Sequence, residues 1–403
     1  MKKSMIVAAM LAMVATGANA KSATDSATIA KNKPVFTVVK QNPITSIKDQ
    51  NRSGTCWAYS TLSYFESEIL KHTGKTYDLS EMFVANKTYM DRATMAVRMH
   101  GDVSFSQGGS AYDVLYALQH YGIVPEGAMP APGTLTGDSL ANFGEFFDVM
   151  TPYVEAVAKS NAKKISSAWK SGPLGVIDSY IGKTPEKFTY QGKQYTPQSF
   201  CQSLGLNLDD YVTITSYTHH PMWSKFAVEV QDNWRWPLSY NVPMDDLCKI
   251  IDNAINNGYT IAWGGDVTED GFTRKGLGIA YDVKKVRSMA GTDADHWFKL
   301  SKDEKKEKFD SLGVNAPEVV PTQAMRQEAF DNWETTDDHG MHIYGIAKDQ
   351  NGKEYYMVKN SWGEYGDYKG TWYMTKAFVA YKTMDFMVNK NAIPKDIRKK
   401  LGI

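Results

Sequence analysis

The sequence predicts an α+β protein of two lobes, a helical one and then a β-rich one, with a largely helical insertion between them. Three observations carry this. Ala58, Leu62, Phe65 and Ile69 recur at helical spacing directly after the polar, glycine-containing loop around Gly54, which marks a helix face early in the chain. Toward the end, residues 259–263, 341–347, 355–358 and 371–374 are short apolar runs separated by turns, the pattern of strands. Between them, residues 131–258 shift toward proline, glycine and polar residues with weakly amphipathic stretches, and contain neither an internal repeat nor a low-complexity tract. A chain of 403 residues also exceeds what one hydrophobic core usually serves.

Residues 1–20 begin with Lys2 and Lys3, continue through an apolar stretch to about Val14 and end in Ala18-Asn19-Ala20, the pattern of a cleaved secretory signal peptide. The apolar core is too short to span a membrane, so an exported protein, periplasmic or extracellular, is expected. Residues 21–42 are polar and read as a flexible tail, or at most a lead-in strand around Val35 to Val39. The helical lobe, 43–130, holds the Cys56 helix ending near Gly74, a helix start with Ser80 as N-cap, and a further helix opened by Gly108-Gly109-Ser110. Cys201 and Cys248 fall in the inserted region 131–258. Cys248 shares a stripe with Ile251 and Ile255, and a disulfide to Cys201 is permitted in an exported chain. The β-rich lobe is 259–390. At 391–403, Pro394, Asp396, the basic Arg398 to Lys400 and Gly402 mark a short C-terminal helix.

The chemistry centres on Cys56. A thiol at a helix N-terminus meets unpaired N–H groups and the positive end of the helix dipole, which favour thiolate. Gln50 can supply an amide donor which, with the Cys56 N–H, would hold an oxyanion. A cysteine nucleophile needs a base and a group that orients the base. His339 and Asn360 flank two apolar runs joined by an Asn351-Gly352 turn, a β-hairpin that brings them together at one end. Asp338 would favour an imidazolium if its side chain turned inward. His342 reads as a strand residue of the second lobe. His219 and His220 are expected to point apart with no carboxylate in ligand position, so no metal site is expected. No cofactor motif is present.

At Gln50, Cys56-Trp57, His339 and Asn360-Ser361-Trp362-Gly363 the chain resembles papain-type cysteine peptidases. It matches their oxyanion glutamine, nucleophile, base and orienting asparagine, with Trp362 packed over Asn360, and Gly108-Gly109 resembles their substrate-binding glycine pair. The resemblance implies a papain-like two-lobe fold acting on peptides. Papain-like histidines lie about 130–150 residues after the cysteine, whereas here the separation is 339 − 56 = 283. The insertion, with the segments at 121–125, 184–190 and 240–243, is similar to the bleomycin hydrolase and aminopeptidase C branch. That branch implies aminopeptidase activity and self-association, as hexamers. Its C-terminal arm closes the cleft. Here Asn391-Ala392-Ile393-Pro394 matches the lead-in to that arm and little chain follows, so an open cleft with endopeptidase activity stands as an alternative. Acyl transfer to an amine, as in transglutaminases, and an inactive binding module are further alternatives, the last opposed by the presence of all four residues.

Lys plus Arg and Asp plus Glu number 45 each, for zero formal charge and no basic stripe, so nucleic acid is not an expected partner.

Overall fold

The computed structural model describes residues 33–133, 140–289 and 299–403. The expected signal peptide and the start of the expected tail lie outside the described residues. The helical lobe is built from α1 (Cys56–Thr73), α2 (Glu81–Arg98), α3 (Ala111–His120), α4 (Gly144–Ala158), α5 (Ser171–Tyr180) and α6 (Pro197–Ser203), with a small hairpin of β2 (Phe188–Tyr190) and β3 (Lys193–Tyr195). The second lobe is an eleven-stranded sheet. Its strands are β1 (Thr37–Gln41), β4 (Tyr211–Thr215), β5 (Lys225–Phe226), β6 (Ser239–Asn241), β7 (Ile261–Gly265), β8 (Phe272–Thr273), β9 (Leu277–Gly278), β10 (His339–Lys348), β11 (Glu354–Lys359), β12 (Thr371–Thr375) and β13 (Thr383–Asn389). Helices α7 (Met244–Asn256), α8 (Val283–Met289), α9 (Lys302–Leu312), α10 (Gln323–Asp331), α11 (Lys376–Lys382) and α12 (Lys395–Leu401) complete the described α-helices.

One expected boundary moves. The lead-in strand expected around Val35 to Val39 is present as β1, which pairs antiparallel with β10 through Thr37↔Lys348 to Gln41↔Gly345. The stretch 131–258 is not one helical insertion. Tyr211 to Thr215 is rich in β-branched residues, favours extended backbone, and pairs with β13 inside the main sheet. The helical portion therefore ends near residue 203, and α7 packs the fully buried Leu247, Ile250, Ile251 and Ile255 into the core of the second lobe.

Helix α1 runs between the lobes. It begins at Cys56 and ends at Gly74, whose φ of 70° suits the left-handed closing position that glycine takes without steric cost. Leu62, Phe65 and Ile69 enter the first lobe's core. The opposite face is equally covered, and so it carries small and polar residues that find partners: Ser63 Oγ meets His342 Nδ1 at 2.9 Å, and Glu66 accepts from the Leu79 N–H at 2.8 Å. An apolar stripe alone would suggest a half-exposed helix. Burial all round follows from its position between two layers.

The hairpin forms as the alternation predicts. β10 and β11 pair from His342↔Lys359 to Lys348↔Glu354, and Gly352 takes a φ of 81° in the turn. The start of β10 also pairs with β7, from His339↔Gly265 to Ile343↔Ile261. Three strands thus fix the element that carries His339. At the chain's far end, α12 buries Ile397 and Leu401 in the second lobe's core.

Candidate active site

A cleft of about 390 Å³ lies between the lobes, and Gln50, Cys56, Gly108, Gly109, His339 and Trp362 all line it. Cys56 is the first residue of α1, as the sequence predicts. Opposite it, the start of β10 comes so close that a Cβ on Gly340 would lie 3.3 Å from the Cys56 carbonyl oxygen and 2.7 Å from Ser60 Oγ. Glycine there lets the His339 strand approach the Cys56 helix.

The orientation of His339 follows from a chain of hydrogen bonds. The Ser361 N–H donates to Asn360 Oδ1 at 2.8 Å, which identifies that atom as an acceptor. His339 Nε2 lies 2.8 Å from the same oxygen. Nε2 therefore carries the proton, and Nδ1 is left with its lone pair, the state a base requires. Trp362 packs against the imidazole, ring centres 5.0 Å apart, and is held edge-on by Trp372 at 5.4 Å. Its contact falls on the histidine ring, where it keeps water from the Asn360 bond.

Gln50 is anchored by the same segment. Its N–H donates to the Ser361 carbonyl at 2.8 Å, and its Oε1 accepts from Ser361 Oγ at 2.6 Å. With Oε1 engaged, the Nε2 donor end is the free end of the amide. The adjacent Lys48 ties this loop to the helical lobe through Glu66 at 3.4 Å and Glu81 at 2.8 Å.

Gly108 and Gly109 are required by close approach. A Cβ on Gly109 would lie 2.9 Å from the Trp57 ring, and one on Gly108 would lie 1.8 Å from Asp232 Oδ2. Trp57 Nε1 and the Tyr89 hydroxyl both donate to the Gln107 carbonyl, at 3.1 and 3.0 Å, and Arg92 reaches the Gly108 carbonyl at 2.5 Å. The glycine strip is thereby fixed along one wall.

Burial works against the charged forms of Cys56 and His339. Burial pushes the Cys56 thiol up to about 12, with the Gly340 N–H opposing and Asp337 and Asp232 adding to the rise. Burial likewise pulls His339 down to about 4, the Asn360 bond opposing. Burial thus opposes charge on both groups, working against the helix N-terminus at Cys56. Asp338 also lines the cleft, and its Oδ1 is engaged by the Val267 N–H at 3.0 Å.

Other carboxylates face the cleft, and nothing local in the sequence announced them. Asp232, Asp337 and Asp385 come from three distant segments. Burial and then the neighbouring Asp232 and Asp385 hold Asp337 well above the usual carboxylate range. Burial also raises Asp385, to about 6, although a hydrogen bond with Ser239 opposes it. Asp232 is raised by burial while Arg92 opposes.

The remaining cysteines and histidines lie elsewhere. All three cysteines are free, so Cys201 and Cys248 form no disulfide, and Cys201 Sγ contacts the Leu118 carbonyl at 3.6 Å. His342 is fully buried against Ser63. His219 and His220 do not point apart without a carboxylate: their Nε2 atoms meet the two oxygens of Glu229 at 3.0 and 2.9 Å. A loop closes nine or ten residues to bring Glu229 back, a spacing that helical ligand patterns do not cover.

The Papain family cysteine protease model matches residues 34–234, and the Peptidase C1-like family model matches residues 180–402. Aminopeptidase G of Lactobacillus delbrueckii subsp. lactis is 23% identical over 397 residues, spanning 89% of this chain and 84% of its own. Aminopeptidase C of Lactobacillus helveticus is 24% identical, spanning 90% and 85%, and bleomycin hydrolase of Homo sapiens 22%, spanning 92% and 86%. The solved structure of pepw from lactobacillus rhamnosis hn001 shares the fold with a TM-score of 0.68 at 19% identity, covering 94% of this chain and 86% of its own. Since the Peptidase C1-like match alone spans more than half of the chain and contains both His339 and Asn360, this protein belongs to that family, the papain-like cysteine peptidases.

Proposed function

We propose that this protein is an exported cysteine aminopeptidase of the aminopeptidase C and bleomycin hydrolase type, with Cys56 as nucleophile, His339 as base and Asn360 as its orienting group. The observation that carries the reading is the Ser361 N–H to Asn360 to His339 chain of hydrogen bonds, which leaves Nδ1 unprotonated in the cleft that Cys56 lines. His339 takes the proton from Cys56, and the thiolate attacks the scissile carbonyl. Gln50 Nε2 and the Cys56 N–H then stabilise the tetrahedral oxyanion. The imidazolium protonates the leaving amine, and water releases the acyl group with His339 again acting as base. Gly108 and Gly109 offer backbone to an extended peptide. The carboxylates of Asp232, Asp337 and Asp385 favour an ammonium group in the cleft, as a free peptide N-terminus supplies.

A second reading, cleavage within chains, is favoured by one observation: none of residues 391–403 lines the cleft. Mass spectrometry of products from matched free and N-acetylated peptides separates the two. Stepwise loss from the free peptide with the acetylated one intact is expected. Internal cleavage of the acetylated peptide at a similar rate would overturn the aminopeptidase assignment, and a Cys56→Ala chain that still cut either peptide would overturn the mechanism. Sedimentation of the protein lacking residues 1–20 tests self-association, and fractionation of producing cells tests export.

A further inference from the structure

We infer that His219, His220 and Glu229 form a binding site for a divalent transition metal of the zinc class, outside the catalytic groups but attached to the wall of the cleft. Their ligand atoms all lie within 4.8 Å of one another, and no ligand has to cross the fold to close the set. Two imidazole nitrogens and one carboxylate oxygen are borderline ligands suited to zinc, and three protein ligands leave a fourth, tetrahedral position for water.

The surroundings hold the ligands as a metal site requires. His219 Nδ1 faces the Gln327 side chain, 3.1 Å from Nε2 and 3.3 Å from Oε1, and Oε1 also accepts from the Thr218 N–H at 2.5 Å. Gln327 is held in turn by Asp331 at 2.9 Å. Without a metal, an Nε2–H on each ring can donate to the Glu229 oxygen it faces; on metal binding Gln327 Oε1 can accept a proton at His219 Nδ1, which frees Nε2 as a ligand, the arrangement in which an outer partner sets the ligating tautomer. A bare ion pair needs only one histidine for Glu229. Here both rings converge on it, His220 stacked on Phe226 at 4.2 Å and His219 stacked on Phe330 at 5.6 Å. Among the described residues no lysine or arginine pairs with Glu229.

The site's position connects it to peptide binding. Val228 and Val230, on either side of Glu229, line the cleft along with Asp232 and Asn233. Val228 also packs in a small core with Tyr217, Phe226 and Met384. A bound ion would join the 219–220 loop, which Gln327 fastens to α10, to the strip that carries the cleft's Asp232. The metal would therefore stiffen the acidic wall and act on substrate binding more than on the chemical step.

The test uses the full chain with Cys56→Ala, which removes a competing thiol ligand. Zn²⁺ is titrated against a chromogenic chelator, and Co²⁺ uptake is read from its visible absorption. Expected are one Zn²⁺ per chain, a tetrahedral Co²⁺ spectrum without thiolate charge-transfer bands, and a Tm that rises with free Zn²⁺. Glu229→Gln, nearly isosteric, and His220→Ala should each weaken binding at least ~10-fold, or ~1.4 kcal/mol, and abolish the Tm response, with circular dichroism confirming the fold. Affinity unchanged in both variants would overturn the site, as would no uptake at roughly 0.1 mM free Zn²⁺, weaker than about −5.5 kcal/mol of binding. In the Cys56 chain, Glu229→Gln should alter KM in a Zn²⁺-dependent way with kcat unchanged.

Discussion

Asn360 orients His339 through a single atom, so Asn360→Ala tests the site directly. The substitution removes the acceptor shared by His339 Nε2 and the Ser361 N–H, each of which sits 2.8 Å from it. Both donors belong to residues only 6% exposed. An unsatisfied buried donor costs about 1–3 kcal/mol, so a loss of about 2–4 kcal/mol in stability is expected after partial relaxation or entry of water. The ring also loses the bond that sets its tautomer and aim. Orientation and general-base catalysis together make a ~10²-fold fall in kcat/KM the expected outcome, about 2.7 kcal/mol of barrier. Asn360→Asp keeps an acceptor for both donors and adds a negative charge, so it should recover the stability and raise the His339 pKa from about 4. The assay is kcat/KM on a fluorogenic aminoacyl amide between pH 3.5 and 8, with thermal melts of each variant. The wild-type base is neutral and competent above about pH 4 and protonated below it, so activity should persist to near that pH. In Asn360→Asp the acid limb should move up. A kcat/KM for Asn360→Ala within ~3-fold of wild type, less than about 0.7 kcal/mol, would refute the argument.

Three further outcomes are expected. Ser361→Ala frees Gln50 Oε1 and lets the amide rotate, so kcat should fall by up to the ~10²–10³-fold that loss of an oxyanion donor costs, KM should change little, and Gln50→Ala added to it should cost little more; full additivity in that cycle would deny the coupling. Gly109→Ala places a methyl 2.9 Å from the Trp57 ring, and about 1–3 kcal/mol of strain, visible as a lower Tm and weaker peptide binding, should follow. Asp385, raised to about 6, is charged above that pH and neutral below it. Preference for free over acetylated N-termini should therefore decline from pH 7 to pH 5, through KM, and Asp385→Asn should remove that part of the pH dependence.

Much of the site was legible because its signals are local. Ser80 accepts from the Phe83 N–H as its N-cap position implies, Gly74 closes α1, and the Asn351-Gly352 turn sets a register that leaves His339 and Asn360 at one end. Ser361 stood inside the quoted motif, but its role depends on Gln50, 311 residues away. Asp232, Asp337 and Asp385 meet only when three segments pack together, and no periodicity encodes such a meeting. The pKa shifts were illegible for a related reason. A helix N-terminus can be read from residue order, whereas the desolvation that opposes it at Cys56 arises only when the lobes pack together. Tyr211 to Thr215 was misplaced because its neighbours on both sides are loops and helices, and its partner, β13, lies at the other end of the chain.

The contact between the Cys56 helix and the His339 strand bears on when the protein can harm its maker. The proposed nucleophile is synthesised 339 − 56 = 283 residues before its proposed base, and at about 5–20 residues per second that is a delay of roughly 15–55 seconds. Throughout that interval β10 and the strands that follow it, β11, β12 and β13, are missing from the sheet, and Cys56 faces no imidazole. A growing chain is thus an unarmed one, and the peptidase becomes dangerous to neighbouring proteins only after β10 has been delivered and docked. Connectivity by itself supplies a period of safety.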